Sequence, residues 1–186
     1  MEVELRCVKE PDSNKVESES DSKTNKNVLV DEVTYYGWPI PNGFPPGFMV
    51  RIQGLAHRGG KRFEVNFALG SEYQSSNIAF HSSVRFGEGG DLVNNSYNVK
   101  KRWEEEERFH EVPITPGQNF EVLILCEATK FKIAIDGEHF CDFNHRIPFT
   151  NIKHLDIRGD ATITLLSFED NTPQKGPSIE YGYPLP

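Results

Sequence analysis

Residues 119–144 read NFEVLILCEATKFKIAIDGEHFCDFN. Three short runs follow one another here: NFEVLILCEA, KFKIAIDG and EHFCDFN. Large apolar residues alternate with others along them, the period-two pattern of strands with one buried face. IDGE marks a turn between the last two. Similar runs occur throughout the middle of the chain: FMVRIQGLA, RFEVNFALG, NIAFHSSVRF, DLVNNS, RFHEVPI, HLDIRGD and TITLLSFE. The turn signals HRGGK, FGEGGD, TPGQ and RGDA separate them. Short strands at a spacing of about 8–12 residues predict an all-β fold, either a sandwich or a barrel. No amphipathic helix is legible, and NHRIPFTNIKHL has room for one helical turn.

The ends differ from the middle. Residues 1–29 form a polar extension. Within it EPDSNKVESESDSKTNKN holds one large apolar residue, Val16, and cannot repay the entropy of ordering, so it is expected to be largely disordered. Ahead of it EVELRCV reads equally as an added edge strand or as nothing. Residues 30–170 carry the strand pattern. Residues 171–186 read as a linker that ends in a fragment of repeat: YGWPIP (36–41) returns as YGYPLP (181–186). A match at a domain-sized interval suggests the first strand of a second domain, cut off here. The other reading is a Pro-rich tail on the domain's own surface.

Composition narrows the function. The net charge of -8 argues against a phosphate-backbone partner, so no nucleic acid is expected. No run approaches the ~18 apolar residues of a membrane span, so no membrane insertion is expected. MEVELRCVKE is acidic without a long apolar run and does not read as a secretory signal. Cys7, Cys126 and Cys141 are odd in number and widely spaced. They suggest neither a disulfide framework nor a CxxC zinc site, and they fit a reducing cytosol. His139, Cys141 and His145 have metal-ligand chemistry, but the plainer reading is a strand and a turn. No metal or other cofactor is expected.

The chemistry concentrates between residues 80 and 109. In FHSSVRF, strand alternation puts His81, Ser83 and Arg85 on one face; Phe80, Ser82, Val84 and Phe86 take the other, core-facing side. A Gly-rich turn follows, and DLVNN returns with Val93 and Asn95 on one face. Next comes WEEEERF (103–109). A Glu and an Arg two residues apart on a strand can pair and still offer groups to a ligand. An unbroken strand would turn Trp103 away from Glu106 and Arg108; a bend between 103 and 106 would bring all three together. Glycosidase chemistry is disfavoured. It needs two carboxyls about 5–9.5 Å apart across one bond, and consecutive strand residues cannot both face one sugar.

These stretches resemble the galectins, whose signature is H-x-N-P-R, then V-x-N, then W-x-x-E-x-R. Here they read His81-Ser82-Ser83-Val84-Arg85, Val93-Asn94-Asn95 and Trp103-Glu104-Glu105-Glu106-Glu107-Arg108. The resemblance covers about residues 33–168, from YGWPIPNGFPPGFMVRIQG to the run ending in RGD. It implies a two-sheet antiparallel jelly-roll (concanavalin-like) β-sandwich that binds β-galactosides without catalysis. It also implies roles. Trp103 stacks on the apolar face of galactose. His81 and Arg85 bond the 4-hydroxyl region, and Asn95 and Glu106 take the 6-hydroxyl side. Glu106 and Arg108 address the second sugar. Glu104, Glu105 and Glu107 are expected to be solvated acid. The partners implied are β-galactoside-bearing glycans, on glycoproteins or glycolipids, and a second lectin domain in a full-length protein. Localisation would be cytoplasmic and extracellular, by a route without a signal peptide.

The chain departs from that signature. The family Asn is Ser83, shorter and without an amide, and the expected consequence is weaker or altered preference. The family Pro is Val84, and the Phe that usually follows the His is Ser82, which would loosen this strand. SYNVKK looks one residue longer than usual and should reshape the rim of the site as a loop. Asn94-Asn95-Ser96 is a glycosylation sequon, expected to go unused. Ser82 and Ser83 also support an alternative, a galectin fold that has lost ordinary galactoside binding and acts through protein contacts or an atypical glycan.

Overall fold

The alternation in residues 119–144 becomes three adjacent strands, each with alternate side chains buried. In the computed structural model residues 34–40, 42–71, 75–87 and 89–172 are described. The polar extension, EVELRCV with Cys7, and the tail repeat all lie outside the described residues. The strands are β1 (Thr34–Pro39), β2 (Phe48–Ala56), β3 (Arg62–Ala68), β4 (Ile78–Arg85), β5 (Asp91–Asn98), β6 (Arg102–Trp103), β7 (Glu107–His110), β8 (Asn119–Cys126), β9 (Lys130–Ile135), β10 (Glu138–Asn144), β11 (His154–Gly159) and β12 (Ala161–Asp170). The expected helical turn is a short 3-10 segment, Phe149–Asn151.

All pairings among the described residues are antiparallel. One sheet runs β1-β11-β3-β4-β5-β6, with β7 also on β5, and the other runs β10-β9-β8-β2-β12. The two pack face to face as the expected jelly-roll sandwich. Aromatic rings fill the space between them. Phe67 stacks on Phe44 at 4.7 Å and on Phe131 at 5.6 Å, and Phe80 lies 5.0 Å from Phe131 and 5.2 Å from Phe143. All five of these rings are fully buried, each worth about 1.5–3 kcal/mol relative to exposure. Pro39 closes β1, at the edge of its sheet, where a missing N–H breaks no ladder.

The two sheets differ in one respect that matters for function. The second has one buried face. In the first, β3, β4 and β5 are buried almost end to end on both faces. Their outer face is polar, so polar groups there are packed against one another rather than washed by solvent.

Ser82 faces the core as expected, opposite Asn94 in register. Asn94 is wholly buried and donates from Nδ2 to Cys141 Sγ at 3.4 Å; its Oδ1 and the Ser96 Oγ have no partner. An unsatisfied buried polar group costs about 1–3 kcal/mol. The sequon asparagine is thus enclosed by the folded sandwich.

SYNVKK corrects one expectation. Ser96, Tyr97 and Asn98 belong to β5, and only Val99–Lys101 turn. Asn98 Oδ1 accepts the Lys100 N–H at 3.0 Å, and Arg102 takes a positive φ of 74°. A three-residue loop closed by a left-handed residue is a common hairpin solution. The turn absorbs the length and leaves the strand intact.

Candidate functional site

The polar face of β3, β4 and β5 is laid out by register. Asn66 lies opposite His81, Glu64 opposite Ser83 and Arg62 opposite Arg85; on the other side His81 faces Asn95 and Ser83 faces Val93. On β11, Asp156 lies opposite Asn66. These positions are coupled. Arg158 Nε and Asn66 Nδ2 both donate to Asp156 Oδ1, at 3.0 and 2.9 Å. A carboxylate only accepts, so the Asn66 oxygen is left facing His81, which donates from Nδ1 at 2.6 Å. The imidazole is therefore held as one tautomer, with Nε2 as an open acceptor. Burial, reinforced by Arg85 and Arg62, pushes the His81 pKa down to about 3. The ring is neutral throughout the ordinary range.

Trp103 stands over this floor. Its ring lies 4.6 Å from His81 and 5.1 Å from Tyr97, and it remains 38% exposed. An indole left that open on an otherwise polar face is a platform for an apolar surface. The bend anticipated after Trp103 is present: β6 ends there, the Glu104 N–H makes a last bond to the Ser96 carbonyl at 3.1 Å, and β7 resumes at Glu107. Trp103 and Glu106 consequently border one cleft of about 180 Å³, with Arg62, Glu64, His81, Arg85 and Asn95. A wider depression of about 390 Å³ lies on the other sheet, along Gln53, Phe120, Glu121 and Asp136, and contains none of these residues.

Charge in the cleft is paired in a chain. Arg85 Nη2 donates to Glu106 Oε1 at 3.1 Å, and Arg108 Nη2 to Glu106 Oε2 at 3.2 Å. Arg108 Nη1 reaches Asp91 Oδ2 at 2.7 Å. The Arg85 bond, then Arg108, hold the Glu106 carboxyl below the usual carboxylate range, against burial. Two groups lack partners: Ser83 Oγ and Arg85 Nε are both buried with no hydrogen bond. Ser83 is completely enclosed at the floor.

Asn95 is mostly committed within the protein. Its Oδ1 accepts from Ser96 N at 2.7 Å and from Arg146 Nη1 at 3.2 Å, and its Nδ2 donates to the Glu104 carbonyl at 3.0 Å. One N–H remains for a ligand. Arg146 follows β10, on the opposite sheet, and went unread in the sequence. It also donates to the Glu105 carbonyl and to Glu107 Oε1, each at 2.7 Å. Glu107 is therefore not solvated acid but half of a bidentate clamp that fixes the bend; Glu104 and Glu105 are exposed, as expected. Nothing in the spacing could have flagged a residue 39 positions from its partner.

His139, Cys141 and His145 diverge. His139 approaches Asp142, His145 bonds the Glu127 carbonyl at 2.9 Å, and burial pushes the Cys141 thiol up to about 12. Among the described residues no cluster is fit to hold a metal ion.

Comparison with known proteins agrees with this fold. The galactoside-binding lectin family model matches residues 35–168. The chain belongs to the galectin family. Human galectin-4 is 35% identical over 153 residues, 81% of this chain and 47% of that protein. Mouse galectin-12 is 32% identical over 153 residues, 81% of this chain and 49% of its own. The chain thus spans about half the length of the curated relatives it matches. Among solved structures, a sheep galectin-11 complex with glycerol superposes with a TM-score of 0.65 at 25% identity, covering 72% of this chain and 96% of that one. A doubly substituted human galectin-16 gives 0.66 at 27% identity, covering 73% and 94%. Galectins are β-galactoside-binding lectins and not enzymes, and the fold here is theirs. Among the described residues no helix is long and apolar enough to cross a membrane.

Proposed function

We propose that the cleft binds the terminal galactose of lactose- or N-acetyllactosamine-like glycans through His81, Ser83, Arg85, Asn95, Trp103, Glu106 and Arg108. One observation carries this most directly. Beside the open Trp103 face the cleft presents an unpaired buried donor at Arg85 Nε and an open acceptor at His81 Nε2. An axial 4-hydroxyl both accepts and donates, and satisfies both groups at once. The apolar face of the sugar covers the indole, Asn95 and Glu106 take the 6-hydroxyl, and Glu106 with Arg108 reaches the second ring. Lactose elution from a lactosyl resin tests the reading; folded protein in the flow-through would refute it.

Ser83 tunes the affinity. Its hydroxyl is short and unpaired, and a restored amide would add one hydrogen bond, worth about 0.5–1.5 kcal/mol. Ser83→Asn is expected to tighten lactose binding about two- to tenfold by calorimetry. An unchanged affinity would remove Ser83 from the account.

Binding should also be indifferent to the usual histidine titration. His81 must be neutral to accept from a hydroxyl, and its pKa lies near 3 rather than 6.5. Lactose affinity is expected to be flat through pH 6.5 and to fall only toward about pH 3. Stability follows a different course. The unfolded chain protonates His81 below about 6.5 while the folded one does not, so the unfolded state binds the extra proton and stability declines from about 6.5 toward 3. An affinity step near pH 6.5 in a fluorescence titration would contradict the neutral, buried role.

The same reading extends to the ends of the chain. Residues 1–29 are proposed as a polar extension, 30–170 as the recognition domain and 171–186 as a linker into a second lectin domain. Two linked sites would cross-link glycans through avidity. Export without a signal peptide, to act both in the cytoplasm and outside the cell, is part of the proposal. A second reading, protein contacts or an atypical glycan in place of galactosides, is favoured by Ser82 and Ser83. Retention on a protein ligand unaffected by lactose would support it.

A further inference from the structure

The cleft contains a carboxylate that the roles above leave unused. Glu64 lies on β3, directly opposite Ser83, and shares the face on which Asn66 and His81 bond one another. It borders the same cleft and is 6% exposed. Arg62 Nε lies 3.4 Å from its carboxylate. Opposite it, Ser83 is short and its Oγ bonds nothing.

We infer that Glu64 is a further ligand of the sugar, accepting a hydrogen bond from the galactose 3-hydroxyl, and that the domain therefore selects galactose ends unsubstituted at that position. The inference rests on the galactoside reading of the cleft. Ring geometry supplies the orientation. In galactopyranose C4 lies between C3 and C5, and C5 carries C6. With the 4-hydroxyl over His81 and Arg85, and C6 toward Asn95 and Glu106 on the β5 side, C3 must lie on the opposite side, toward β3. Glu64 is the residue there that lines the cleft beside Ser83. A carboxylate only accepts hydrogen bonds, so the contact needs a hydroxyl that can donate. An ether or a hydrogen at C3 cannot, and an ether would also press on a buried side chain.

Calorimetry on the full chain tests this with lactose, with lactose analogues carrying a 3-deoxy or 3-O-methyl galactose, and with cellobiose, which lacks the axial 4-hydroxyl. The expected result is lactose bound, with both analogues at least tenfold weaker. Glu64→Ala should weaken lactose and bring the deoxy analogue to within about twofold of it. Glu64→Gln, which keeps the shape and one acceptor oxygen, should lie between the two. Ser83→Asn, by placing a bulkier side chain opposite Glu64, should narrow the gap between lactose and the analogues. Equal binding of lactose and both analogues by the unaltered protein would overturn the role of Glu64 and leave the galactoside site standing. So would discrimination that survives Glu64→Ala. Lactose bound no better than cellobiose would overturn the galactoside reading, and this inference with it. The first comparison uses no variant and does not depend on any variant folding.

Discussion

Glu106→Ala is expected to abolish galactoside binding, whereas Glu104→Ala should leave it within about twofold. The two residues sit in one acidic run but in different surroundings. Glu106 bridges Arg85 and Arg108, at 3.1 and 3.2 Å, on the edge of the cleft. Glu104 is exposed, and what it gives Asn95 is its backbone carbonyl, which alanine retains. Removing Glu106 deletes an acceptor for the sugar and releases two guanidinium groups from their positions. A hydrogen bond to a charged group is worth about 1.5–3 kcal/mol, and about 1.4 kcal/mol is tenfold in affinity. Loss of two such bonds predicts at least a ~100-fold drop, beyond detection for a weak lectin on a lactosyl resin. Equal losses in both variants would mean that the bend between Trp103 and Glu107 has been misassigned.

Trp103→Ala should have an effect of the same order. Among the described residues the indole is the sole open aromatic face on the cleft; Tyr97 beside it is buried. Without it the apolar face of galactose stays against water, and the sugar keeps only polar contacts that water can replace. A ~100-fold or greater loss of lactose affinity is expected, with little change in melting temperature because the ring is already 38% exposed. Spectroscopy gives an independent check. The chain has 2 tryptophans, and Trp38 is stacked on Tyr36 at 5.8 Å, on the edge strand β1. Any lactose-dependent shift in emission should therefore come from Trp103 and vanish with it. A shift that persists in Trp103→Ala would place the sugar elsewhere.

The fold was largely legible because its signals are local. Alternation and turn residues lie within a few positions of one another, so β2, β8 and β9 could be read from their own side chains. The expectation failed at SYNVKK, where a polar tripeptide reads as loop but pairs as strand; Tyr97 is buried beneath Trp103, and the ladder overrides propensity. The site divides in the same way. His81, Ser83 and Arg85 share a face by simple alternation, and the bend after Trp103 was the single geometric condition needed to join them to Glu106. Asn66, Asp156 and Arg146 were not legible as site residues. They act across strands or across sheets, and nothing local distinguishes Asp156 or Arg146. Glu64 and Asn66 did leave a faint sign: polar residues alternate with Phe63, Val65 and Phe67 on a strand buried on both faces, which calls for partners on the polar side.

The enclosure of Asn94 imposes an order of events on the molecule. Its side chain is sealed between the sheets, against Cys141. An oligosaccharide there could not coexist with the closed sandwich, because the second sheet occupies the space it would need. Glycosyl transfer and folding are thus mutually exclusive outcomes for this strand, and whichever comes first decides the fate of the chain. A polypeptide that closes before it meets the transferase is immune to it; one modified while still extended is barred from ever closing.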